Sequence, residues 1–291
     1  NIQYHYDVSN DFYGLWLDAR RVYSCAYFKT PDMSLDAAQE AKLDHICRKL
    51  DLKPDERFLD IGCGWGGLIL HAAERYGVQA VGITLSDDQH AYVSQQIDAR
   101  GLAGRVEVRK MDYRDVPEQA GYDKIASVGM FEHVGRVNLA AYFDKIAALL
   151  KPGGLVLNHG ITAATPEAGG LGSGLAEFVQ DYVFPGGELV HVSDVLRTAS
   201  GSGLECLDAE NLRLHYGKTL WHWVTRLEQH AESACRLIGD QKYRIWRIYM
   251  GGSAYAFDRG WLELWQVLAG KGVGGDQPNY PFKRDFIYRD R

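Results

Sequence analysis

The ten residues FLDIGCGWGG, Phe58 to Gly67, constrain this chain more than any other stretch. The short apolar run Phe58-Leu59-Asp60-Ile61 carries one acid and reads as a buried strand. Gly62, Gly64, Gly66 and Gly67 follow at once, and then Leu68, Ile69, Ala72 and Ala73 recur at helical spacing. Strand, glycine turn and helix form the opening unit of a doubly wound α/β domain. Glycine suits the turn because the backbone must reverse sharply and lie close to a ligand. The spacing Gly62-x-Gly64-x-Gly66 departs from the dinucleotide fingerprint, whose third glycine comes one residue later.

The rest of the chain extends that unit. Strands are expected over Val78–Ile83, Val106–Arg109, Asp123–Val128 and Leu155–Asn158, with helices over Asp87–Arg100 and Asn138–Leu150. This alternation predicts a doubly wound, mostly parallel sheet with helices on both faces. Upstream, residues 1–50 read as a helical cap: 1–35 are dense in aromatics, and Asp32 and Ser34 start a helix over about 34–50. Between 161 and 203 the rhythm breaks into glycines and aromatics, which reads as a lid insertion with a helix near 191–200. Leu204–Leu207 is a sixth strand, long helices fill 217–258, and Trp261–Leu268 is a seventh strand. The tail, 278–291, is expected to be a mobile end. A single catalytic domain is expected over 1–291. The chain opens at Asn1, without Met, so preceding residues, up to a whole domain, are expected.

Composition narrows the function classes. With 291 residues and 46% hydrophobic content the chain can bury a large core. Its net charge of −6 disfavours a nucleic-acid partner. Five widely spaced cysteines give no disulfide framework and point to a reducing, cytoplasmic setting. No apolar run is long enough to span a bilayer, and no cysteine or histidine pair has metal-ligand spacing.

In open α/β sheets ligands sit beyond the carboxyl ends of the strands. Strand two ends at Thr84 and Leu85, with Gln89 close behind and Asp87 too late to serve as a strand-end acid. Strand three is followed by Asp112, Tyr113 and Arg114, an acid and an aromatic suited to holding an adenine, or simply a surface turn. Strand four is followed by Gly129-Met130-Phe131-Glu132-His133-Val134-Gly135, where Glu132 could orient a base or offset a helix dipole. His159 follows strand five, where a lone histidine is usually structural. Cys25 alone reads as a small buried hydrophobe, and Lys242–Tyr249 as an amphipathic helix or an anionic-lipid contact.

The glycine stretch with Asp60 resembles the first motif of class I S-adenosylmethionine (SAM) methyltransferases. Taken with His5–Tyr13, Tyr23–Phe28, Ile83–Ser86, Asp112–Asp115, Gly129–Gly135, Tyr182–Gly187 and Leu264–Val267, it resembles the cyclopropane fatty acid synthase family, which includes the mycolic acid cyclopropane synthases. The resemblance covers essentially the whole chain and implies a seven-stranded class I fold. It implies methylation by SAM, leaving S-adenosylhomocysteine (SAH), of a cis double bond in phospholipid acyl chains. A cyclopropane would form through a carbocation deprotonated by bound bicarbonate. The implied catalytic set is Cys25, Glu132, His159, the backbone of Ile161, and Tyr216. The cofactor set is Tyr23, Ser24, Asp60, Gly62, Gly64, Gly66, Thr84, Leu85, Gln89, Asp112, Tyr113 and Arg114. Some members carry a cysteine where this chain has Ser253, which argues against a thiol nucleophile there. The aromatics of 1–35 and 178–184 would stabilise a cation and shield it from water. The expected setting is cytoplasmic with transient contact at the inner membrane surface, and a homodimer is compatible with it. The rival outcomes are a methylene- or methyl-branched fatty acid, a natural-product C-methyltransferase, and a non-catalytic SAM- or lipid-binding protein.

Overall fold

The structure is a computed structural model and describes residues 9–166, 188–273 and 280–288. The expected motifs within 1–8 and 167–187 lie outside the described residues, as do residues 274–279 and 289–291. Strands β1 (Arg57–Ile61), β2 (Gln79–Thr84), β3 (Val106–Lys110), β4 (Tyr122–Val128), β5 (Leu150–Ala163), β6 (Leu204–Asn211) and β7 (Leu262–Lys271) form one sheet. Their order is β3-β2-β1-β4-β5-β7-β6. The first five pair in parallel, and β7 inserts antiparallel between β5 and β6. The chain therefore winds outward from β1 in both directions, and the switch point between β1 and β4 opens the crevice where such sheets bind ligands.

Helices α1 (Asn10–Gly14) and α2 (Leu35–Lys49) come from the N-terminal segment; α3 (Gly67–Tyr76), α4 (Asp87–Ala99) and α5 (Leu139–Leu149) connect the parallel strands. Their starts are set locally. Ser34 Oγ accepts from Ala37 N at the head of α2, and Ser86 Oγ accepts from Gln89 N at the head of α4. Helix α6 (Val192–Gly201) packs against α5 and β6, while α7 (Arg213–Gln229) and α8 (Ala231–Asp258) pair with each other. Helix α8 is broken at Gly239, whose φ of 80° is not helical.

Two sequence expectations change here. Residues 151–154, left between the expected helix ending at Leu150 and the strand beginning at Leu155, and 161–163, assigned to the lid, both belong to β5. That strand is long because residues 155–163 pair with β7 from Leu155↔Gly270 to Ala163↔Leu262. The tail is not a loose end over 280–288: helix α9 (Asp285–Tyr288) buries Ile287, Tyr280 donates to the Lys49 carbonyl, and Arg284 pairs with Asp208 at 2.9 Å. Beneath it Lys49, fully buried, pairs with Asp208 and Glu210 at 2.9 and 2.6 Å.

The aromatic N-terminal segment also has a different use from the expected one. Phe12, Tyr13 and Trp16 are completely buried against Trp65, Trp223 and Trp246, with ring centroids 4.7–5.8 Å apart. These rings form a packed core that ties α1 to α7 and α8. Tyr23, at the edge of that cluster, reaches the crevice.

Candidate active site

The glycine turn behaves as its spacing requires. Gly62, Gly64 and Gly66 take φ of 80°, 55° and 81°, in the left-handed region that side chains avoid. Gly62 N and Cys63 N both donate to the Ile83 carbonyl, which fastens the loop over the end of β2. A Cβ on Gly82 would lie 2.7 Å from Ile69 and 2.8 Å from Cys63, so β2 must be bare there for α3 and the loop to sit down.

Above the turn lies a cleft of about 960 Å³. Every expected cofactor residue except Gly66 lines it: Tyr23, Ser24, Asp60, Gly62, Gly64, Thr84, Leu85, Gln89, Asp112, Tyr113 and Arg114. Gly66 instead caps α3, with no room for a side chain against Val93. Thr84 Oγ1 donates to Gln89 Oε1 at 2.6 Å. Asp112 accepts from the backbone and guanidinium of Arg114, so its carboxyl is held below the usual range. The Arg114 side chain is 74% exposed and lies on the rim. Asp87, also at the rim, pairs with Lys110. Asp60 is different. It is 2% exposed, its Oδ1 has no partner among the described residues, and burial pushes its pKa up to about 7. Bare glycine backbone, an orphaned carboxylate oxygen and a crevice with both polar and apolar walls fit an adenosyl amino acid.

The five expected catalytic groups gather around one node of the fold. Ile161 N donates to Glu132 Oε1 at 2.8 Å, and Leu264 faces Ile161 across β5 and β7. Leu212 N donates to the Leu264 carbonyl; the Leu212 carbonyl accepts from Tyr216 N and, at 3.9 Å, from the Cys25 thiol. His159 is two residues before Ile161 and is buried, with Gln266 Nε2 3.1 Å from its Nδ1. An amide donating to Nδ1 leaves the proton on Nε2.

The set does not present five free donors. The Ile161 amide is already taken by Glu132, and the Cys25 thiol turns toward the carbonyls of Ala26 and Leu212. Burial pushes the Cys25 thiol far up, so it is no nucleophile. Tyr216 is buried with its ring edge-on to Trp223 and 4.8 Å from Phe257. What remains is a pair of orphaned atoms: Glu132 Oε2 and His159 Nε2 are buried without a partner among the described residues. Burial raises Glu132 to about 7 against the pull of the Ile161 amide, and burial holds His159 well below its ordinary value, hence neutral. Glu132 does not line the cleft; Tyr249 hydrogen-bonds the cleft residue Tyr23, and the Glu132 charge adds to burial in pushing the Tyr249 phenol up.

Three participants escaped the sequence reading. Gln266 sits in a stretch that carries only resemblance, and Tyr249 in one that reads as an amphipathic helix or an anionic-lipid contact. Lys42 had a visible signal. It stands on the inward stripe Leu35, Ala38, Lys42, Ile46 of α2, where a charge is out of place.

Fold and cleft define a class I SAM-dependent methyltransferase. The mycolic acid cyclopropane synthetase family matches residues 1–267, and the chain belongs to that family. It is a SAM-dependent methyltransferase of the cyclopropane synthase type. It is 49% identical over 288 residues to a probable fatty acid methyltransferase of Pseudomonas putida, covering 99% of this chain and 73% of that protein. It is 37% identical to the cyclopropane-fatty-acyl-phospholipid synthase of Escherichia coli, covering 92% of this chain and 67% of that protein. Against a probable fatty acid methyltransferase of Mycobacterium tuberculosis it spans 62% of the relative's length. The structure of the mycolic acid cyclopropane synthase CmaA1 complexed with SAH and CTAB superposes with a TM-score of 0.88 at 34% identity, over 93% of this chain and 97% of that one.

Proposed function

We propose that the chain methylates a cis double bond in phospholipid acyl chains and closes a cyclopropane ring, with bicarbonate as the base. When bound, SAM supplies an electrophilic methyl that an acyl double bond can attack, leaving a cation on the lipid whose new methyl must lose a proton before the ring closes.

The orphaned pair Glu132 Oε2 and His159 Nε2 carries this reading. A neutral imidazole offers an N–H donor, and a carboxyl poised near 7 can accept a proton from bicarbonate or donate to it. Bicarbonate fits such a donor set; a second bare carboxylate there would repel the first. Glu132 and His159 would hold the anion, with Tyr216 and Cys25 bounding the pocket. Tyr23 and Tyr249 would present ring faces to the lipid cation, each worth roughly 0.5–2 kcal/mol where water is excluded.

Acyl chains would be reached at a membrane surface. Leu214, Trp221, Tyr255 and Trp261 are exposed near the start of α7 and the end of α8, with Arg259 over the Tyr255 ring. Trp and Tyr beside cations suit a lipid interface. These residues alternate with Leu212, Tyr216 and Phe257, which pack into the same core as Cys25, so the same helices would join bilayer to site. Among the described residues no helix is long and apolar enough to cross a membrane. The reading places the enzyme in the cytoplasm, transiently on the inner membrane face.

The similarity to a probable fatty acid methyltransferase favours a second outcome at the same site, a methylene- or methyl-branched chain. Lipids from cells expressing the chain with methyl-deuterated methionine separate the two by mass spectrometry. The cyclopropane reading expects acyl chains that gain one carbon, lose the double bond and keep two of the three labelled hydrogens. A product two hydrogens heavier than the cyclopropane acid, or one that keeps all three labels, would replace it with methyl branching, and a persistent double bond with two labels would replace it with a methylene product.

A further inference from the structure

Helix α2 sends one lysine into the floor of the cleft. Lys42 is 1% exposed and lines the crevice beside Ser24, Asp60, Gly62 and Gly64. Its Nζ donates to Ser24 Oγ at 2.6 Å. An ammonium has three protons to place, and this hydroxyl is the one hydrogen-bond acceptor it has among the described residues. No carboxylate lies within ion-pair distance of it among the described residues. Asp60 and Asp18 are near enough to favour its charge, but neither touches it. The adjacent Cys25 remains a thiol and supplies no counter-charge.

Burying an ammonium without a paired anion costs several kcal/mol. Elsewhere the same helix avoids that cost: buried Lys49 has two carboxylates at 2.9 Å or less. Lys42 does not, and desolvation draws its pKa down to about 8, so it is still charged at neutral pH. Asp60, which lines the same crevice, holds an orphaned oxygen. An ammonium and a carboxyl group, each short of partners and both lining the cleft above the glycine turn, form complementary poles for a zwitterion.

We propose that Lys42 is the anchor for the cofactor's α-carboxylate, with Asp60 receiving its α-ammonium. This rests on the SAM reading and deepens it. A carboxylate against Lys42 and Ser24 makes charge-assisted hydrogen bonds in a desolvated site. It also fixes the amino-acid end of the cofactor beside Gly129, since the Ser24 side chain lies 3.9 Å from the place a Gly129 Cβ would occupy. Gly129 opens the segment that carries Glu132. Lys42 would thus set how far the donor reaches toward the catalytic pocket.

Titration calorimetry with three probes tests this: SAH, its decarboxylated analogue, and 5′-methylthioadenosine, which lacks the whole amino acid. The wild-type protein should bind SAH at least about 30-fold more tightly than the decarboxylated analogue, the ratio expected when one partner of a buried charged pair is removed. Lys42→Met should erase that preference while changing affinity for 5′-methylthioadenosine less than about threefold. Equal wild-type affinity for SAH and its decarboxylated analogue would overturn the proposal without any variant. So would a Lys42→Met protein that loses both ligands alike, which would make the lysine a structural support of the Ser24 loop. Failure of the wild type to bind any of the three would remove the cofactor reading itself, and this proposal with it.

Discussion

The rim and the floor of the crevice treat acidic groups in opposite ways. At the rim, beyond β2 and β3, Asp112 is clamped by Arg114 and Asp87 by Lys110, and hydrogen bonds hold the Asp112 carboxyl below the usual range. Deeper in the fold, Asp60 on the crevice floor near the end of β1 and Glu132 beyond β4 each keep an orphaned oxygen, and burial lifts both to about 7. A rim acid is satisfied by the protein alone and needs nothing further. A deep acid is left unsatisfied at a cost the fold must carry, which is the signature of a group arranged for a ligand or for proton transfer.

The contrast can be broken most directly at Glu132. Glu132→Gln preserves the acceptor for the Ile161 amide but cannot exchange a proton with a bound anion. Turnover should fall by about a thousandfold, within the range for loss of acid–base chemistry, while SAH affinity measured by calorimetry stays within about threefold. Retained turnover would reduce Glu132 to a strand-end support.

Titration sharpens the same point. The folded-state pKa of Glu132 is raised above its unfolded value of 4.5 to about 7, so the folded protein binds more protons than the unfolded chain between those values. Its contribution to stability is full below about pH 4.5 and is lost as pH rises through about 7. Melting temperatures from pH 5 to 8 should therefore decline less steeply in Glu132→Gln than in the wild type. Parallel curves would show that burial does not perturb this carboxyl.

A smaller effect is expected at Gly160. A Cβ there would lie 2.1 Å from the Phe131 ring and 3.0 Å from Glu132 Oε1. Gly160→Ala should cost about 1–3 kcal/mol of stability through overpacking, read as a melting point lower by about 2–8 °C. It should also lower turnover by displacing Glu132. The smallest effect belongs to the rim, where Arg114→Ala should change SAH affinity less than about threefold because the guanidinium is largely in water.

Legibility followed the same division. The glycine turn, the strand ends and the alternation of strand and helix rest on contacts within a few residues, and those elements fall within a few positions of their expected bounds. Strand β5 was underestimated because its length comes from pairing with β7, about a hundred residues downstream. The tail looked mobile because its anchors, Lys49 and Asp208, are remote in sequence. The aromatic N-terminus announced rings, but nothing local said that Phe12, Tyr13 and Trp16 would pack into one core with Trp223 and Trp246 while Tyr23 lines the crevice.

By itself the sequence determined a doubly wound α/β fold with a ligand cleft over its glycine turn, since local backbone chemistry at Gly62, Gly64 and the strand ends favours that unit, and the resemblance of its motifs added the methyltransferase class. Tertiary structure alone decided which polar atoms are left unsatisfied. Whether Lys42, Asp60, Glu132 and His159 find partners depends on elements brought together from across the chain, and on water being excluded where they meet. Burial sets both the cost of a charge and its pKa, and burial is a property of the packed molecule.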